Sequence, residues 1–486
     1  MLQLRRRCLL VACQAGLTEK RKEGCFLLNR IKHLHFIGIG GYGMSALAQV
    51  LLDMGYIVTG SDIKQSAITE KLKKLGATVF TGHDAAHIAG AELVVYSTAI
   101  PPDNVELQAA KKSGIPVWHR SELLARFIND RFGIAVAGAH GKTTTTSMIA
   151  TVLTAGGLDP TAFIGGVLAE FGGNARIGKS DIVIAEADES DNTFLRYRPR
   201  MAVITNVEAD HLEHYKGNFQ LLLAAYREFL GNTAPDGIAV LNAEDRYLQN
   251  MHPSHLKKIV TFGLTKGDWR AANIEYAGWG SRFQVIGPKG PVGQITLSVP
   301  GLHNVLNALA AVAVAGEFGV AFPRIQTSLA NFRGAERRFQ FLYKGNGIAV
   351  VDDYAHHPTE IRATLQAART DGIERVLVVF QPHRFSRTKW FLEEFARSLY
   401  DADQVILHRI YAASELPLAG VSSRELAEKM RAHGVNVTQL DEAEEIVAYV
   451  LSIARPGDLI ITMGAGDITE IGHRLAVKLR EKEHVH

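Results

Sequence analysis

The chain has 486 residues, of which 47% are apolar and 21% are charged, and its formal net charge is +3. This length predicts more than one domain, and the small charge, spread along the chain, gives no electrostatic argument for a nucleic-acid partner. The only cysteines are Cys8, Cys13 and Cys25, so the rest of the chain cannot form disulfides, which is typical of a cytoplasmic protein.

Residues 1–32 are interpreted as a disordered leader. The leader joins a basic run to a short apolar stretch, "RRRCLLVAC", and charged "EKRKE" follows. The apolar stretch is about half as long as the core of a signal peptide, so export is the weaker alternative. Beyond the leader, no stretch reaches the roughly 18 apolar residues that a membrane span needs.

A first α/β block is predicted over residues 33–131. A strand at His33–Ile39, a glycine turn and a helix at Met44–Met54 open it. "IVTGSD", "TVFTG", "LVVYSTAI" and "IPVWHR" supply further short strands between helical stretches. This alternation favours a parallel sheet with crossover helices.

The glycine turn of this block has the spacing of a dinucleotide fingerprint. Gly38, Gly40 and Gly43 provide the pattern, and Asp62 follows about twenty residues on, at the end of the second strand. The turn predicts a seat for a pyrophosphate, with a carboxylate that can reach a ribose hydroxyl. The alternative is a tight turn that only packs helix on strand.

A second block is predicted over residues 132–335 and opens with a phosphate loop. The strand "GIAVAG" is followed by "AHGKT" and a helix, two residues shorter than the usual Walker A spacing. Lys142 would pair with the β and γ phosphates of ATP, and the hydroxyl of Thr143 would bind Mg²⁺. The alternative is a Gly-Lys turn with a threonine as helix cap.

Two later strands of the second block end in acidic segments, "EADESD" and "NVEAD". Glu186 ends its strand, where a metal-facing acid is expected in such sheets, whereas the rest of "EADESD" is expected to be a solvated acidic loop. His211 is expected to be a hydrogen-bonded structural histidine or, less commonly, a metal ligand, because Mg²⁺ prefers oxygen. An antiparallel excursion is predicted near residues 269–300, and a helix follows.

A third block is predicted over residues 336–486 as another doubly wound unit. "VDDYAHHPTE" and "QPHRFSRT" follow two of its buried strands and carry Asp352, Asp353, Tyr354, His356, His357, His383, Arg384 and Arg387. Loops rich in His and Arg at neighbouring strand ends favour a carboxylate-binding face. The adjacent His356 and His357 would point apart, so hydrogen bonding is preferred to metal binding; ordinary surface loops are the alternative.

In these motifs the chain resembles the Mur ligases, from about His33 to its C-terminus. The resemblance is carried by "GIGGYGMSALA", "GAHGKTTT", "EADESD", "TNVEADHLE", "GLHNVLNALAA", "RRFQ", "DDYAHHPTEI", "FQPHRFSRT" and "GAGDI". It implies an α/β protein of three domains: N-terminal Rossmann-like, central P-loop ATPase-like with a parallel sheet, and C-terminal Rossmann-like.

The resemblance also implies four groups of site residues. The UDP-sugar site would comprise Gly40, Gly41, Tyr42, Gly43, Met44, Asp62 and Ser97. The ATP site would comprise Gly138, Ala139, His140, Gly141, Lys142, Thr143, Thr144, Asn304, Arg338 and Asp353. Thr143, Glu186 and His211 would hold the metal, and Lys142, Glu186, His211 and Arg338 would be catalytic. Tyr354, His356, His383, Arg384 and Arg387 would bind the amino acid and the sugar's carboxylate.

The implied activity is the ATP- and Mg²⁺-dependent joining of L-alanine to the lactyl carboxylate of UDP-N-acetylmuramate, through an acyl phosphate, by a cytoplasmic monomer or homodimer. Residues 217–256 contain no lysine, which fits the alanine-adding branch, because other branches often carry a carbamylated lysine there. Ala139 and Ala355 depart from the usual pattern without removing a charged group. The alternatives are a tripeptide-recycling ligase, a nicotinamide-dependent oxidoreductase and a nucleotide-binding module without catalysis.

Overall fold

The structure, a computed structural model, describes Leu28 and residues 31–370, 372–413 and 415–483. The predicted leader therefore lies outside the described residues, apart from Leu28, Ile31 and Lys32. Packing of the backbone divides the chain into two compact units. The first unit is Met1–Asp268 with Ala310–Ile325, and the second is Trp269–Leu309 with Gln326–His486. The boundaries after residues 131 and 335 stay a prediction.

The first unit contains a parallel sheet whose strands follow the pattern predicted for residues 33–131. Its strands are β1 (His33–Ile37), β2 (Ile57–Asp62), β3 (Thr78–Thr81), β4 (Leu93–Tyr96) and β5 (Val117–His119), in the order β3-β2-β1-β4-β5. Its helices are α1 (Tyr42–Asp53), α2 (Ala67–Lys74), α3 (Val105–Lys112) and α4 (Arg120–Asn129). Successive strands are added on one side of β1 up to β3 and on its other side from β4 onward, so the strand order switches between β1 and β4. Ligands of open α/β sheets bind beside such a switch point.

A second sheet of the first unit is built on the strand before the predicted phosphate loop. Its strands are β6 (Phe132–Ala137), β7 (Thr161–Leu168), β8 (Gly173–Arg176), β9 (Ile182–Glu186), β10 (Met201–Ile204), β11 (Ile238–Asn242) and β12 (Lys258–Gly263). They lie in the order β12-β11-β10-β6-β9-β7-β8, with only β8 antiparallel to its neighbour among these strands. The helices α5 (Lys142–Ala155) and α6 (Phe219–Gly231) cover it. Because β9 and β10 flank β6, the loops that follow all three strands meet at one edge.

The second unit begins with the predicted antiparallel excursion. Three strands form it: β13 (Trp269–Ala277), β14 (Gly280–Gly287) and β15 (Gly290–Leu297). The helices α7 (Leu302–Glu317) and α8 (Phe322–Asn331) follow along the chain, and the part of the chain from Ala310 to Ile325 belongs to the first unit. Both the excursion and the helix after it were expected from the sequence, and both are confirmed.

The rest of the second unit is the doubly wound sheet predicted for the third block. Its strands are β16 (Gln340–Gly345), β17 (Ile348–Asp353), β18 (Arg375–Phe380), β19 (Gln404–Leu407), β20 (Val437–Gln439) and β21 (Asp458–Met463), in the order β16-β17-β21-β18-β19-β20. Its helices are α9 (Pro358–Ala368), α10 (Phe385–Trp390), α11 (Leu392–Ser398), α12 (Ser423–Ala432), α13 (Ala443–Ile453) and α14 (Ile468–Glu483). The antiparallel β16 at one edge was not predicted.

Continuous apolar runs form the central strands of each sheet because both faces are covered by helices. Leu34 and Phe36 of β1 and Val378 of β18 are fully buried. Polar side chains are therefore displaced to the ends of the strands, which is where the candidate site residues lie. Among the described residues, no helix combines the length and the apolar character that crossing a bilayer requires.

Candidate functional site

The glycine turn after β1 is held by the carboxylate that the fingerprint predicts. The backbone N–H of Gly40 donates to Oδ2 of Asp62 at 2.8 Å. A Cβ at position 40 would lie 2.8 Å from that same oxygen, so only glycine lets the two approach. Asp62 was predicted to reach a ribose hydroxyl; in the structure its carboxylate also fixes the turn.

The turn leads into the N-terminus of α1, which is open to an anion. Gly41 is the N-cap without a side-chain cap, and the first turn of the helix carries no acidic residue. The positive end of the helix dipole is thus uncompensated by the helix's own side chains. Ser97 follows β4, the neighbour of β1, so the structure brings the predicted UDP-sugar residues to one sheet edge. Tyr42 is 46% exposed there.

Asn174 of β8 holds the start of α1 in place, and nothing in the sequence indicated it. Its Nδ2 donates to the backbone oxygen of Tyr42 and, at 3.0 Å, to the hydroxyl of Ser45. Its Oδ1 accepts a hydrogen bond from Gln49 Nε2 at 3.0 Å. Both sheets of the first unit therefore contribute to the position of the glycine turn.

The phosphate loop is shaped by the polar segment that follows β10. Gly138 has φ +135°, and a Cβ there would lie 2.0 Å from Oγ1 of Thr205. The Thr205 hydroxyl donates to the backbone oxygen of His140 at 2.6 Å, and the His140 N–H donates to Asn206 Oδ1 at 2.9 Å. The His140 ring lies 2.7 Å from a carboxylate oxygen of Glu208. These contacts pre-form a cradle of backbone groups of the kind that phosphate loops use.

Lys142 is held inside this cradle by a carboxylate that was predicted to be solvated. Its Nζ donates to the Gly138 carbonyl at 2.7 Å and to Oε2 of Glu189 at 2.8 Å. Glu189 is 1% exposed. The expectation that "EADESD" outside Glu186 is a solvated loop was therefore wrong at Glu189, because the buried lysine needs a counter-charge.

The electrostatics of the lysine follow from this burial. Burial disfavours the ammonium form of Lys142, yet the carboxylates of Glu189 and Asp188 outweigh it and raise the lysine's pKa. Burial raises the pKa of Glu189, and the attraction of Lys142 opposes that change. Lys142 is therefore a permanent positive charge within the phosphate loop.

The oxygen ligands predicted for a metal ion lie together beside the cradle. The Thr143 hydroxyl donates to Oε2 of Glu186 at 3.1 Å, and the Gly165 N–H donates to Oε1 at 2.5 Å. A hydroxyl and a carboxylate at this spacing suit Mg²⁺. His211 has a left-handed backbone, φ 55°, and its Nε2 lies 3.5 Å from a carboxylate oxygen of Asp210.

In the second unit, the loops after β17 and β18 bring the predicted carboxylate-binding residues together. The His356 and His383 rings lie with their centroids 5.9 Å apart. Arg387 Nη1 is 3.3 Å from Nδ1 of His383, and a guanidinium can only donate, so that nitrogen is the acceptor. Arg384 has φ 72°, a strained conformation of the kind found at functional sites.

His383 is a neutral imidazole in this setting. Burial, followed by the charges of His356 and Arg387, lowers the pKa of His383 to about 3. Tyr411, which follows β19, stacks on its ring at a centroid distance of 5.6 Å. The sequence offered no signal for Tyr411, because its position depends on a neighbouring strand far along the chain.

Three residues predicted for the ATP site also lie in the second unit. The Asp353 carboxylate accepts hydrogen bonds from the backbone N–H groups of Phe339 and Ala355, each at 2.8 Å. Burial raises the pKa of Asp353 to about 6. Asn304 Nδ2 donates to the Pro300 carbonyl at 2.7 Å.

Arg338 lies on the same side of the second unit as the predicted carboxylate-binding residues. Its guanidinium is 5.1 Å from the ring centroid of Tyr354 and 3.9 Å from a carboxylate oxygen of Glu360. The same Glu360 carboxylate lies 3.4 Å from the His356 ring. Because its ion-pair contact with Glu360 is as long as 3.9 Å, the Arg338 guanidinium can also bind an anionic ligand.

The first unit carries a nucleotide-type turn and a phosphate loop with a metal-type oxygen pair, and the second unit carries a cluster of His and Arg side chains. These are features expected of an ATP-dependent carboxylate-activating enzyme. Three family models match most of the chain. The Mur ligase family catalytic domain matches residues 33–132, the Mur ligase middle domain matches 136–315 and the Mur ligase glutamate ligase domain matches 337–466. The chain belongs to the Mur ligase family.

Individual relatives and solved structures are similar to the chain over most of its length. A UDP-N-acetylmuramate–L-alanine ligase of Pelotomaculum thermopropionicum is 47% identical, over 94% of this chain and 100% of the relative. The solved UDP-N-acetylmuramate–alanine ligase of Thermotoga maritima has a TM-score of 0.80 and 31% identity, over 93% of this chain and 99% of that one. A murein peptide ligase of Psychrobacter arcticus has a TM-score of 0.69 and 26% identity, covering 92% and 98%. The predicted three-domain α/β fold class is confirmed.

Proposed function

We infer that the chain is an ATP-dependent ligase that joins L-alanine to the lactyl carboxylate of UDP-N-acetylmuramate during peptidoglycan precursor synthesis. The observation that carries this inference is the 47% identity, over almost the entire length of both chains, to an enzyme with that name. The products are UDP-N-acetylmuramoyl-L-alanine, ADP and phosphate.

The reaction divides into two displacements. A lactyl carboxylate oxygen attacks the γ-phosphorus of ATP, the bond to the β–γ bridging oxygen breaks, and ADP leaves from an acyl phosphate. The neutral amine of L-alanine then attacks the acyl carbon, the C–O bond to phosphate breaks, and the nitrogen loses a proton. Stabilising the charge that moves in these steps is the chief contribution a protein can make.

Lys142 is assigned to the β and γ phosphates of ATP. Its Nζ is directed into the cradle by the Gly138 carbonyl, and its charge is secured by Glu189 and Asp188. Phosphate oxygens would replace the Glu189 carboxylate as its partner. Arg338 of the second unit is proposed to neutralise further phosphate charge, and Asn304 and Asp353 to contact the nucleoside.

We further propose that Thr143, Glu186 and His211 hold Mg²⁺. The 3.1 Å contact between the Thr143 hydroxyl and Glu186 supports this assignment, since both groups are oxygen ligands. The bound ion would supply charge neutralisation to the transferring phosphoryl group. The chain's own part is to hold Glu186 in place, which the Gly165 N–H does by donating to its other oxygen.

The acceptor site is proposed to comprise Tyr354, His356, His383, Arg384 and Arg387. Two guanidinium groups match the carboxylates of the amino acid and of the sugar. The neutral His383, with Nδ1 accepting from Arg387, presents its Nε2–H as a donor. The remaining anionic group, the UDP diphosphate, is assigned to Gly40–Met44 at the start of α1, with Asp62 and Ser97 beside it.

Phosphate release tests the proposal directly. Purified protein with ATP, Mg²⁺ and UDP-N-acetylmuramate is expected to release phosphate with L-alanine far faster than without an amino acid. A preformed tripeptide as acceptor represents the recycling ligases. Equal or faster release with the tripeptide, or release that needs no sugar nucleotide, would refute the assignment.

A further inference from the structure

Arg337 is a partly buried connecting residue that no part of the proposed mechanism uses. It precedes β16, has a left-handed backbone, φ 60°, and its carbonyl accepts a hydrogen bond from the Tyr354 N–H at 2.6 Å. Its own N–H donates to Oε1 of Gln340 at 2.8 Å. The guanidinium lies 5.0 Å from the Tyr354 ring centroid. Its backbone and its side chain thus both contact the loop that follows β17.

The Arg337 guanidinium joins that loop to a second one. Its Nε donates to Oδ2 of Asp352 at 2.9 Å, its Nη2 donates to the Gly464 carbonyl at 2.6 Å, and its Nη1 donates to the Gly466 carbonyl at 3.2 Å. Asp352 is fully buried, and its other oxygen accepts from the Thr462 hydroxyl at 2.7 Å. Three donors in the fixed plane of one guanidinium therefore hold the end of β17, from which the first loop starts, at a set distance from the loop that contains Gly464 and Gly466.

The second loop, Gly464–Asp467, which we call the GAGD loop, lies between the two halves of the acceptor site. It follows β21, and β21 lies between β17 and β18 in the sheet. The loop after β17 carries Tyr354 and His356, whereas the loop after β18 carries His383. A displacement of the GAGD loop would therefore change the spacing of the acceptor residues on its two sides.

Close packing links the position of the GAGD loop to that of His383. A Cβ at Gly466 would lie 2.6 Å from Cγ of Tyr411 and 2.3 Å from Oε1 of Gln381. Gln381 Nε2 donates to Asp467 at 2.6 Å, and Tyr411 stacks on the His383 ring at 5.6 Å. Each step in the series from Arg337 through the GAGD loop to His383 is a direct contact.

We propose that Arg337 is a positioning residue for the acceptor amino acid: by tying the GAGD loop to the loop after β17, it fixes the spacing between His356 and His383. The proposal rests on the assignment of the acceptor site above. It predicts that loosening Arg337 weakens the use of L-alanine specifically. Arg338 and Asp353, which are assigned to ATP, adjoin Arg337 and Asp352 in sequence, but the N–H groups of Phe339 and Ala355 hold Asp353 separately. The Michaelis constant for ATP should therefore change less than that for L-alanine.

Arg337→Lys tests this, because lysine keeps the charge and loses the planar set of donors. The chain offers a matched control in Arg375→Lys. Arg375 also pairs with a fully buried aspartate, donating from Nε and Nη2 to Asp458 at 2.9 and 2.7 Å and from Nη2 to the Ile453 carbonyl at 2.7 Å. It begins β18, at the opposite end of the strands from the acceptor site.

Both substitutions are expected to lower the melting temperature to a similar extent. Arg337→Lys should raise KM for L-alanine about tenfold or more while KM for ATP changes less than about threefold, because a small displacement of a positioning group is costly. Arg375→Lys should leave both constants unchanged. Asp352→Asn keeps the shape of the side chain that Arg337 contacts and removes its negative charge. It is a milder variant, and KM for L-alanine should again rise.

A measurement without turnover separates this inference from the proposed reaction. The Cε1–H resonances of His356 and His383, assigned from His356→Gln and His383→Gln, should shift in Arg337→Lys and stay in place in Arg375→Lys. Resonances that stay in place in Arg337→Lys, or a KM for ATP that rises as much as that for L-alanine, would overturn the positioning role. A native protein that releases no phosphate with any amino acid would refute the reaction and leave the resonance test intact.

Discussion

Lys142 of the phosphate loop and Glu189 of the segment after β9 form a buried ion pair, with Nζ 2.8 Å from Oε2 and Glu189 only 1% exposed. Each of these charges is compensated chiefly by the other, so removing one leaves the other buried without its partner. The pair therefore couples the catalytic lysine to the stability of the first unit. Activity and stability can be separated only by changing both residues.

Lys142→Met is expected to reduce ATP-dependent phosphate release by about a hundredfold or more, since it removes a cation from the transferring phosphate. It should also lower the free energy of unfolding by about 3 kcal/mol, because Glu189 is left unpaired. Adding Glu189→Gln should restore most of the stability and none of the activity. Phosphate release and urea denaturation of the single and double variants measure this; recovery of activity in the double variant would contradict the role of Lys142.

Gly138→Ala is expected to disrupt the phosphate loop through a steric clash, in addition to the strain that its backbone conformation imposes on alanine. A Cβ there would lie 2.0 Å from the Thr205 hydroxyl, which itself fixes His140. Gly76→Ala is the matched control, because Gly76 has φ +104° and nothing within 4 Å of a Cβ. Backbone strain alone should cost about 1 to 3 kcal/mol in either protein. Only Gly138→Ala should also lose nucleotide binding, as measured by calorimetric titration with ADP; equal affinity in both variants would argue against the cradle.

The sequence predicted the parts of the fold whose physics is local. Alternating apolar runs and helical periods identified strands in all three sheets, although β7, β8, β11 and β12 were not predicted. Glycine spacing identified the turn after β1 and the phosphate loop. The helix α9 begins at Pro358, and proline is favoured at the first position of a helix because its fixed φ suits that position. The edge strand β16 escaped notice because antiparallel pairing at an edge depends on a neighbour, not on its own pattern.

The sequence indicated less of the site where the contacts join distant segments. Glu186 stood out because it ends a strand, whereas Glu189 looked solvated, since no sequence pattern shows that a lysine 47 positions away is buried against it. Tyr411 and Arg337 contribute through contacts across neighbouring strands of the sheet, and strand order cannot be read from a single sequence. Tyr411 and Arg337 are common residue types, and they reach the site only because of the order of the strands in the sheet.

His383→Gln should change how stability depends on pH. The pKa of His383 is lowered from 6.5 to about 3 in the folded protein, so between these values the unfolded chain binds the proton and the folded chain does not. The contribution of His383 to the free energy of unfolding therefore decreases as the pH falls below 6.5, by about 1 kcal/mol per pH unit.

The pKa of Asp353 is raised to about 6, so protonation of this carboxyl increases the stability of the folded state as the pH falls. This effect is present in both the native protein and His383→Gln, and it cancels in the difference between their unfolding free energies. Urea denaturation of the native protein and of His383→Gln between about pH 7 and pH 5 gives that difference. The native protein should lose stability more steeply on acidification. Parallel curves would show that His383 is as readily protonated in the folded state as in the unfolded one.

Glu106→Gln is expected to weaken the first sheet through the loss of a buried charge. The Glu106 side chain is fully buried, and it accepts hydrogen bonds from the Ser61 hydroxyl at 2.5 Å and from the His87 ring at 2.8 Å, with His35 at 3.4 Å. Burial alone would raise the carboxyl's pKa, but the hydrogen bonds from His35, Ser61 and His87 outweigh it and lower the pKa from 4.5 to about 2.

A pKa lower in the folded state means that this stabilisation is complete above the unfolded value of 4.5 and is lost as the pH falls toward about 2. At neutral pH, Glu106→Gln should therefore cost about 2 to 3 kcal/mol of unfolding free energy, and the deficit should shrink below about pH 4. Glu70→Gln is the control, because Glu70 is 51% exposed in its pair with Lys73, and such a pair contributes about 0.5 kcal/mol or less. Denaturant titrations across this range measure both variants, and a deficit for Glu106→Gln that stays constant down to about pH 3 would show that the carboxylate titrates alike in both states.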